Sequence, residues 1–152
     1  MLLYRHLELI TQMALAIAVE DNPDPKDIRA VISNLLDYNN NSQNSEDVAY
    51  PLSVLIRDAE GEIVGGLVGK THWKWLFVSH LWVAEALRGQ GYGRKLMLQA
   101  EQTAKERGCD RSYLDTFSFQ DLGFYERLGY QIFGVLEDFP PGHQRYFLQK
   151  KI

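Results

Sequence analysis

The sequence predicts an α/β domain, in which helices flank a β-sheet. Apolar runs of strand length alternate with segments of helical periodicity, and turns that contain glycine or proline separate them. No internal repeat and no linker interrupts this alternation. The 152 residues, of which 45% are hydrophobic and 24% charged, suit one globular domain. We expect that domain to span residues 13–152.

The composition disfavours several classes of protein. A net charge of −4 argues against nucleic acid as the partner, because duplex-binding proteins usually carry a basic excess. No stretch approaches the ~20 apolar residues that cross a membrane, and the N-terminal residues make a poor signal peptide, so we expect a cytoplasmic protein that does not bind membranes. The single cysteine, Cys109, can form neither an internal disulfide nor a metal-binding pair. We expect it to be buried and no metal to be bound.

The first third of the chain predicts one strand and one helix. Residues 1–12 are amphipathic, and we interpret them as an extension appended to the domain. The apolar run of residues 13–19 predicts a strand. A helix is predicted over residues 24–39, with an aspartate cap, Pro25 at the first helical position and apolar residues at helical spacing. The polar residues 39–45 then predict a mobile loop.

The remaining elements alternate between strands and helices. Residues 58–61 close a hairpin between the first two strands, and the long apolar run of residues 75–83 is typical of a central strand covered on both faces. Gly108 and Gly129 each end a helix, and residues 140–142 form a turn. The predicted strands are 52–56, 63–68, 75–83, 112–117, 130–135 and 145–148, and the predicted helices are 94–107 and 120–128.

A glycine run lies between the central strand and the helix that follows it. It consists of Arg88, Gly89, Gln90, Gly91, Tyr92, Gly93 and Arg94. Glycine at alternate positions leaves backbone N–H groups free to point at one ligand, and the helix N-terminus adds a partial positive charge. These features, flanked by two arginines, predict a site for a phosphate or pyrophosphate.

Two familiar phosphate-binding patterns do not fit this run. A dinucleotide-binding G-x-G-x-x-G that starts at Gly89 would need glycine where Arg94 stands. A P-loop would need lysine and then serine or threonine after its last glycine, but Gly93 is followed by Arg94 and Lys95. The pattern that fits is R-x-x-G-x-G.

The pattern R-x-x-G-x-G resembles the signature of the GNAT superfamily, the acetyl-coenzyme A N-acyltransferases. Leu81-Trp82-Val83 precedes Arg88 at the offset usual in that family. The later run from Phe124 to Tyr130 is similar to its second signature, F-Y-x-x-x-G-F/Y. The resemblance covers residues 50–150, and the two motifs occur in the expected order.

The resemblance implies a mixed sheet that is splayed near its middle and holds acetyl-CoA in a V-shaped cleft. The backbone of residues 88–94 would hold the pyrophosphate. The backbone of Leu81 and Val83 would bond the pantetheine arm and polarise the thioester carbonyl. Tyr125 would be the general acid that protonates the leaving thiolate, although a core aromatic is the alternative. Ser118 stands where the family often has an asparagine that contacts the coenzyme.

The general base is open at this stage. His80 has a suitable side chain, Asp115 on the neighbouring strand could orient a water, and Glu85 precedes the phosphate loop. The alternatives are a structural histidine and a solvated surface glutamate. Strand alternation places Leu81 and Val83 on one face and His80 on the other, unless a bulge changes the parity.

Three residues are candidates for the acceptor site. Trp73 and Trp75, at positions i and i+2, would share a face and line a pocket for an aromatic or cationic amine. Packing against the first helix is the alternative. His143 lies in the loop of residues 138–143, which often borders the acceptor site in this superfamily.

The resulting hypothesis is an N-acetyltransferase that moves acetyl from acetyl-CoA to a primary amine of a small molecule or protein, by direct transfer in a ternary complex. Cys109 follows the second helix, away from the expected cleft, so no acetyl-cysteine intermediate is expected. The alternative is a non-catalytic acyl-CoA sensor, which would use the glycine loop without Tyr125. Exposed edge strands are compatible with a homodimer.

Overall fold

The structure is a computed structural model that describes residues 15–43 and 48–152. The chain divides into two compact units, residues 1–43 and residues 44–152.

Within the first unit, the predicted extension of residues 1–12 and the start of the predicted first strand lie outside the described residues. The strand prediction is wrong for residues 15–19, which form neither helix nor strand and expose Leu15, Ile17 and Val19 almost fully. An apolar run supplies strand propensity, but it does not by itself supply hydrogen-bonding partners.

Helix α1, Pro25–Gln43, starts as predicted and ends later. The carboxylate of Asp24 accepts a hydrogen bond of 2.9 Å from the Lys26 N–H, which satisfies one of the free donors of the first turn. The predicted loop over residues 39–45 is wrong up to Gln43, where the helix still runs. Asparagine and serine cost a helix only a few tenths of a kcal/mol each, about 0.7 at most, and this stretch contains no glycine or proline to end it.

The second unit is a six-stranded sheet with two helices and a short 3₁₀ helix, Glu85–Leu87. The sheet order is β1-β2-β3-β4-β6-β5. Among the described strands only β3 and β4 pair in parallel, so the predicted mixed sheet is confirmed. No helix within residues 15–43 or 48–152 is long and apolar enough to cross a membrane. The elements are β1 Tyr50–Arg57, β2 Ile63–His72, β3 Trp75–Val83, α2 Tyr92–Glu106, β4 Arg111–Phe117, α3 Leu122–Arg127, β5 Gln131–Glu137 and β6 Gln144–Lys151.

The two central strands pair over only half of their length. β3 and β4 are in register from Trp75 with Arg111 to Val78 with Leu114, and no pair follows. Beyond that point β3 continues to pair with β2 on its other side, and β4 with β6. The sheet therefore forks in its middle, as the resemblance implied, and leaves one unpaired backbone edge on each branch.

A β-bulge lies in β3 where the fork begins. Val78 pairs with Gly69 and His80 with Val68, so Ser79 is the extra residue of β3. The bulge shifts the alternation by one. Leu76 and Val78 face the core before it, and Leu81 and Val83 pack against the core after it.

The core lies between α2 and one face of the sheet. Met97, Ala100 and Ala104 on α2 are fully buried, as the helical spacing predicts, and they share one cluster with leucines of the strands. Those leucines are Leu52, Leu67, Leu76, Leu114 and Leu148. Cys109 belongs to the same cluster with 6% of its surface exposed, so its predicted burial is confirmed.

A buried polar network crosses this core. The Tyr130 hydroxyl lies 3.0 Å from Glu101 Oε1 and 2.7 Å from Ser112 Oγ. Lys150 Nζ donates to both oxygens of Glu101, at 3.0 and 2.8 Å. Because the carboxylate is only 5% exposed, its charge needs these partners. The network ties α2 to β4, to β6 and to the turn after α3.

The bulge depends on a close backbone approach at Gly69. A Cβ at that position would lie 2.2 Å from the carbonyl oxygen of Phe77, which is fixed in the neighbouring strand. We expect Gly69→Ala to lower the free energy of unfolding by about 2 kcal/mol or more, because the strands must separate to admit the methyl group. Urea denaturation measures this change.

Gly134→Ala is the matched control for Gly69→Ala. A Cβ at Gly134, in β5, would meet only Phe147 side-chain atoms at 3.8 Å, which is ordinary contact. We expect this substitution to change the free energy of unfolding by less than about 1 kcal/mol. Equal losses in the two variants would contradict a specific constraint at Gly69.

Candidate active site

The glycine loop starts at the end of the forked branch of β3. The Ala84 N–H donates to Val64 O at 2.9 Å, and one turn of 3₁₀ helix then leads to Arg88. Gly89 and Gly91 both have positive φ, 73° and 83°, a conformation that favours glycine. Apart from the adjoining residues, nothing in residues 15–43 or 48–152 lies within 4 Å of a Cβ built at either position, so a ligand can approach this backbone closely.

Helix α2 presents a free N-terminus at this loop. Gly91 is its N-cap and provides no side-chain hydrogen bond, and the first turn contains no acidic residue. Its first N–H groups therefore lack side-chain partners and, with the helix dipole, suit an anion. The exposed cations Arg94 and Lys95 lie in the same turn.

Three residues of the run have structural contacts that the sequence did not reveal. A Cβ on Gly93 would lie 3.3 Å from the ring of Phe124, so the absence of a side chain there lets α3 pack closely against α2. Arg88 Nε donates to Val83 O at 3.1 Å, which fixes the loop to the end of β3. The Gln90 side chain likewise donates to Ala86 O at 2.9 Å.

Tyr125 lies on α3, close to the core. The Asp121 carboxylate caps this helix by accepting from the Phe124 N–H at 2.9 Å, and the Tyr125 ring meets Tyr130 edge-on with centroids 6.3 Å apart. Burial raises the pKa of Tyr125, and the negative charges of Asp115 and Asp121 raise it further. No group within residues 48–152 hydrogen-bonds its hydroxyl. The phenol therefore keeps its proton at neutral pH and can donate it to a ligand.

Asp115 is held by an ion pair. Arg145 on β6 donates from Nε to Asp115 Oδ2 at 2.8 Å, and its Nη2 lies 2.7 Å from the same oxygen in an ion pair. The guanidinium also lies over the rings of Phe117, Phe139 and Phe147, at 5.3 to 5.5 Å. A carboxylate held in this way is fixed in position and can orient a neighbouring group.

His80 lies two residues past the fork on β3. It is exposed, and the bulge that could change the strand parity is present at Ser79, after which Leu81 and Val83 pack on the core face and His80 alternates with them. Its Nδ1 lies 3.0 Å from Ser79 Oγ. Glu85 lies in the 3₁₀ helix beyond the strand and is exposed.

Ser118 and His143 are neighbours, although they were predicted for different roles. Ser118 Oγ lies 3.2 Å from His143 Nδ1 and accepts from the Gln144 N–H at 3.2 Å. The His143 ring meets Phe119 edge-on, and Phe119 stacks on Phe117 with centroids 5.1 Å apart. The loop after β4 and the hairpin before β6 thus form one aromatic wall beyond the fork.

Trp73 and Trp75 lie at the other end of β3. Trp73 has a positive φ of 42° in the β2–β3 turn, so the two side chains do not share the strand face expected from their spacing. Both line a cavity of about 320 Å³ with Phe77, Tyr113 and other residues. Because Trp75 and Val83 are the two ends of β3, roughly 26 Å apart, the structure does not bring these tryptophans to the fork.

Sequence reasoning missed three groups at the fork: the Arg145 guanidinium, the rings of Phe117, Phe119 and Phe139, and the Ser79 hydroxyl. The alternation of Tyr113, Asp115 and Phe117 gave a signal that these side chains share a face. The residue on β6 that pairs with Asp115, Arg145, could not be identified without the strand order.

Comparisons with known proteins agree with this geometry. The model of the Acetyltransferase (GNAT) family matches residues 13–130. The blasticidin-S acetyltransferase of Streptomyces morookaense is 43% identical over 108 residues, 68% of this chain and 79% of that protein. The crystal structure of a proposed acetyltransferase from Agrobacterium tumefaciens superposes with a TM-score of 0.83 at 35% identity, covering 91% of this chain and all of that one.

A more distant structure shares the fold. It is a proposed streptothricin acetyltransferase from Bacillus anthracis in complex with acetyl coenzyme A, with a TM-score of 0.61 at 21% identity over 68% of this chain and 64% of that chain. The forked sheet, the glycine loop and the family match over most of the chain lead to one conclusion: this protein is an acetyltransferase of the GNAT family.

Proposed function

We propose that this acetyltransferase moves the acetyl group of acetyl-CoA to a primary amine of a small cationic molecule, with both substrates bound at once. The main support is what converges on the open end of the fork. There the unpaired edge of β3 leads through the loop that Arg88 fixes to Val83 O into the free N-terminus of α2, and Tyr125 follows Phe124, whose ring packs against Gly93 of α2.

Each part of the fork suits one part of acetyl-CoA. The pyrophosphate would accept from the N–H groups after Gly89 and Gly91, beside the exposed Arg94 and Lys95. The amides of the pantetheine arm would pair with the free edge of β3 near Leu81 and Val83, as an added strand does. The Ser118 hydroxyl, which bonds His143 and Gln144 within the protein, is a less suitable contact.

The chemistry removes two protons from the acceptor nitrogen and supplies one to the sulfur. An ammonium group loses a proton to give the free amine, whose lone pair attacks the thioester carbon. Backbone N–H groups at the β3 edge would stabilise the oxyanion. As the C–S bond breaks, the sulfur takes a proton from Tyr125, and the new amide nitrogen loses its second proton. The phenol recovers one proton and the other is released, so the products are the acetamide, the free thiol and H⁺.

A small cationic acceptor fits the surroundings of the fork. The chain has a net charge of −4, and the wall of Phe117, Phe119 and Phe139 offers ring faces to a planar or cationic group. The relative from S. morookaense acts on blasticidin S, which makes that antibiotic the first acceptor to test.

The test is thiol release from acetyl-CoA with a panel of amines that includes blasticidin S, other small cationic amines and peptides. Turnover with a small amine supports the proposal and identifies the acceptor class. Turnover with peptides alone would move the activity to a protein acceptor. Tight acetyl-CoA binding without turnover for any amine would contradict the proposal.

Tyr125→Phe removes the proposed acid and keeps the ring. We expect kcat to fall about 100-fold, because a positioned general acid contributes at least that much, while the Kd of acetyl-CoA changes less than about twofold. Tyr113→Phe is the control, since burial also raises the pKa of Tyr113, but this residue lies before the fork. Equal kcat values for Tyr125→Phe and the wild-type protein would remove Tyr125 from the mechanism.

Gly91→Ala tests the phosphate loop. An alanine with φ near 83° is strained without any clash, at a cost of about 1 kcal/mol. We expect the unbound loop to relax away from this conformation and the Kd of acetyl-CoA to rise about fivefold. Gly108→Ala is the matched control, because Gly108 has a φ of 85° and open space around its Cβ at the opposite end of α2. Calorimetric titration should show weaker binding for Gly91→Ala alone, although both variants lose similar stability.

Cys109→Ala tests direct transfer against an acetyl-cysteine route. Burial raises the pKa of the Cys109 thiol, which favours the unreactive thiol form, and the residue lies before β4, at its paired end. We expect kcat to change less than about twofold and intact-protein mass spectrometry to detect no acetylated enzyme with acetyl-CoA alone. A loss of activity together with an acetyl adduct in the wild-type protein would establish the covalent route.

A further inference from the structure

The bulge in β3 places a hydroxyl beside a histidine at the start of the fork. Ser79 is the extra residue of the bulge, and its Oγ lies 2.9 Å from Val68 O and 3.0 Å from His80 Nδ1. In a regular strand, adjacent side chains point to opposite faces. The extra residue is what allows these two side chains to meet.

The chemistry of the three atoms determines where their protons lie. A carbonyl oxygen can only accept, so the hydroxyl proton of Ser79 must point at Val68 O. Ser79 Oγ can then only accept from the imidazole, which requires the proton of neutral His80 to be on Nδ1. The other ring nitrogen, Nε2, is left with a free lone pair.

The second serine–histidine pair in the chain lacks this constraint. Ser118 Oγ accepts from the Gln144 N–H, and its own proton is free to point at His143 Nδ1. Either tautomer of His143 satisfies that arrangement. The Ser79–His80 pair therefore differs from the Ser118–His143 pair in its hydrogen-bonding geometry, although both consist of a serine and a histidine.

We propose that the Ser79–His80 pair holds the imidazole in the Nδ1–H tautomer and that Nε2 of His80 accepts the proton of the incoming ammonium group. This inference rests on the proposed function. His80 is exposed, lies past the last β3–β4 pair, and alternates with Leu81 and Val83, which pack on the core. An amine that approaches from the face opposite α2 meets this nitrogen.

The step balances without a further reactant. The N–H bond of R–NH₃⁺ breaks, its proton forms the Nε2–H bond, and its electron pair stays on nitrogen as the lone pair of R–NH₂. His80 becomes an imidazolium with Nδ1–H still donated to Ser79, and it later releases the proton to solvent. Asp115 is less suited to this role, because its Oδ2 is already engaged by a hydrogen bond and an ion pair with Arg145.

The tautomer can be tested without any activity. Long-range ¹H–¹⁵N correlation spectra at about pH 8.5, where free imidazoles are neutral, report which ring nitrogen carries the proton. The chain has four histidines, so His80→Asn identifies the signal of His80. We expect an Nδ1–H imidazole in the wild-type protein and a shift toward Nε2–H in Ser79→Ala. An Nε2–H imidazole in the wild-type protein would overturn the proposal.

The role of Nε2 is tested with the acceptor found in the amine panel. His80→Asn can keep a donor to Ser79 but has no Nε2, and we expect kcat to fall about 100-fold with the Kd of acetyl-CoA unchanged. Ser79→Ala should lower kcat about fivefold, because the reactive tautomer becomes the minor one. His72→Gln, in the β2–β3 hairpin before the fork, should behave as the wild-type protein.

The outcomes separate this proposal from the proposed function. Wild-type kcat in His80→Asn, with a functioning enzyme, overturns the role of His80 and leaves the acetyltransferase proposal intact. A wild-type protein that acetylates no amine contradicts the proposed function and the proton-transfer role together, and the spectra then decide the tautomer independently.

Discussion

The site depends on one structural constraint, which is the loss of pairing between β3 and β4 after Val78 and Leu114. Up to that point the two strands are ordinary neighbours in a parallel pair. Beyond it each strand keeps only its outer partner, so the backbone groups on the inner edges have no strand to pair with. Such groups are costly when left unsatisfied. An extended ligand with its own amides can satisfy them, which is why the fork is suited to binding.

The bulge and the glycine loop both follow from this constraint. The bulge at Ser79 adds a residue where the fork begins, and it keeps Leu81 and Val83 on the core face while the strand bends away. From the bent strand the chain continues through the loop of residues 88–91 to the N-terminus of α2. Because α2 packs against β1, β2 and β3, its N-terminus is held by the same core that holds the branch of β3.

Most of the fold and the glycine loop could be predicted from the sequence, because their signals are local. Strand periodicity, glycine stops and the run from Arg88 to Arg94 depend on neighbouring residues only. The features that the sequence did not predict depend on residues that are far apart in the chain or on the local path of the backbone. The ion pair of Asp115 with Arg145 requires β4 and β6 to be adjacent, and the turn at Trp73 breaks a parity that the spacing implied. The meeting of Ser79 with His80 requires the bulge.

The two groups that we propose to transfer protons lie on opposite sides of the sheet. Tyr125 is on α3, which packs beside α2 through the contact of Phe124 with Gly93, and its ring belongs to the core side. His80 points to the other face. Only at the fork, where no strand pairing closes the sheet, can one reacting centre be reached from both faces. A proton can then be removed from the amine on one side and supplied to the sulfur on the other, without the two groups competing for one position.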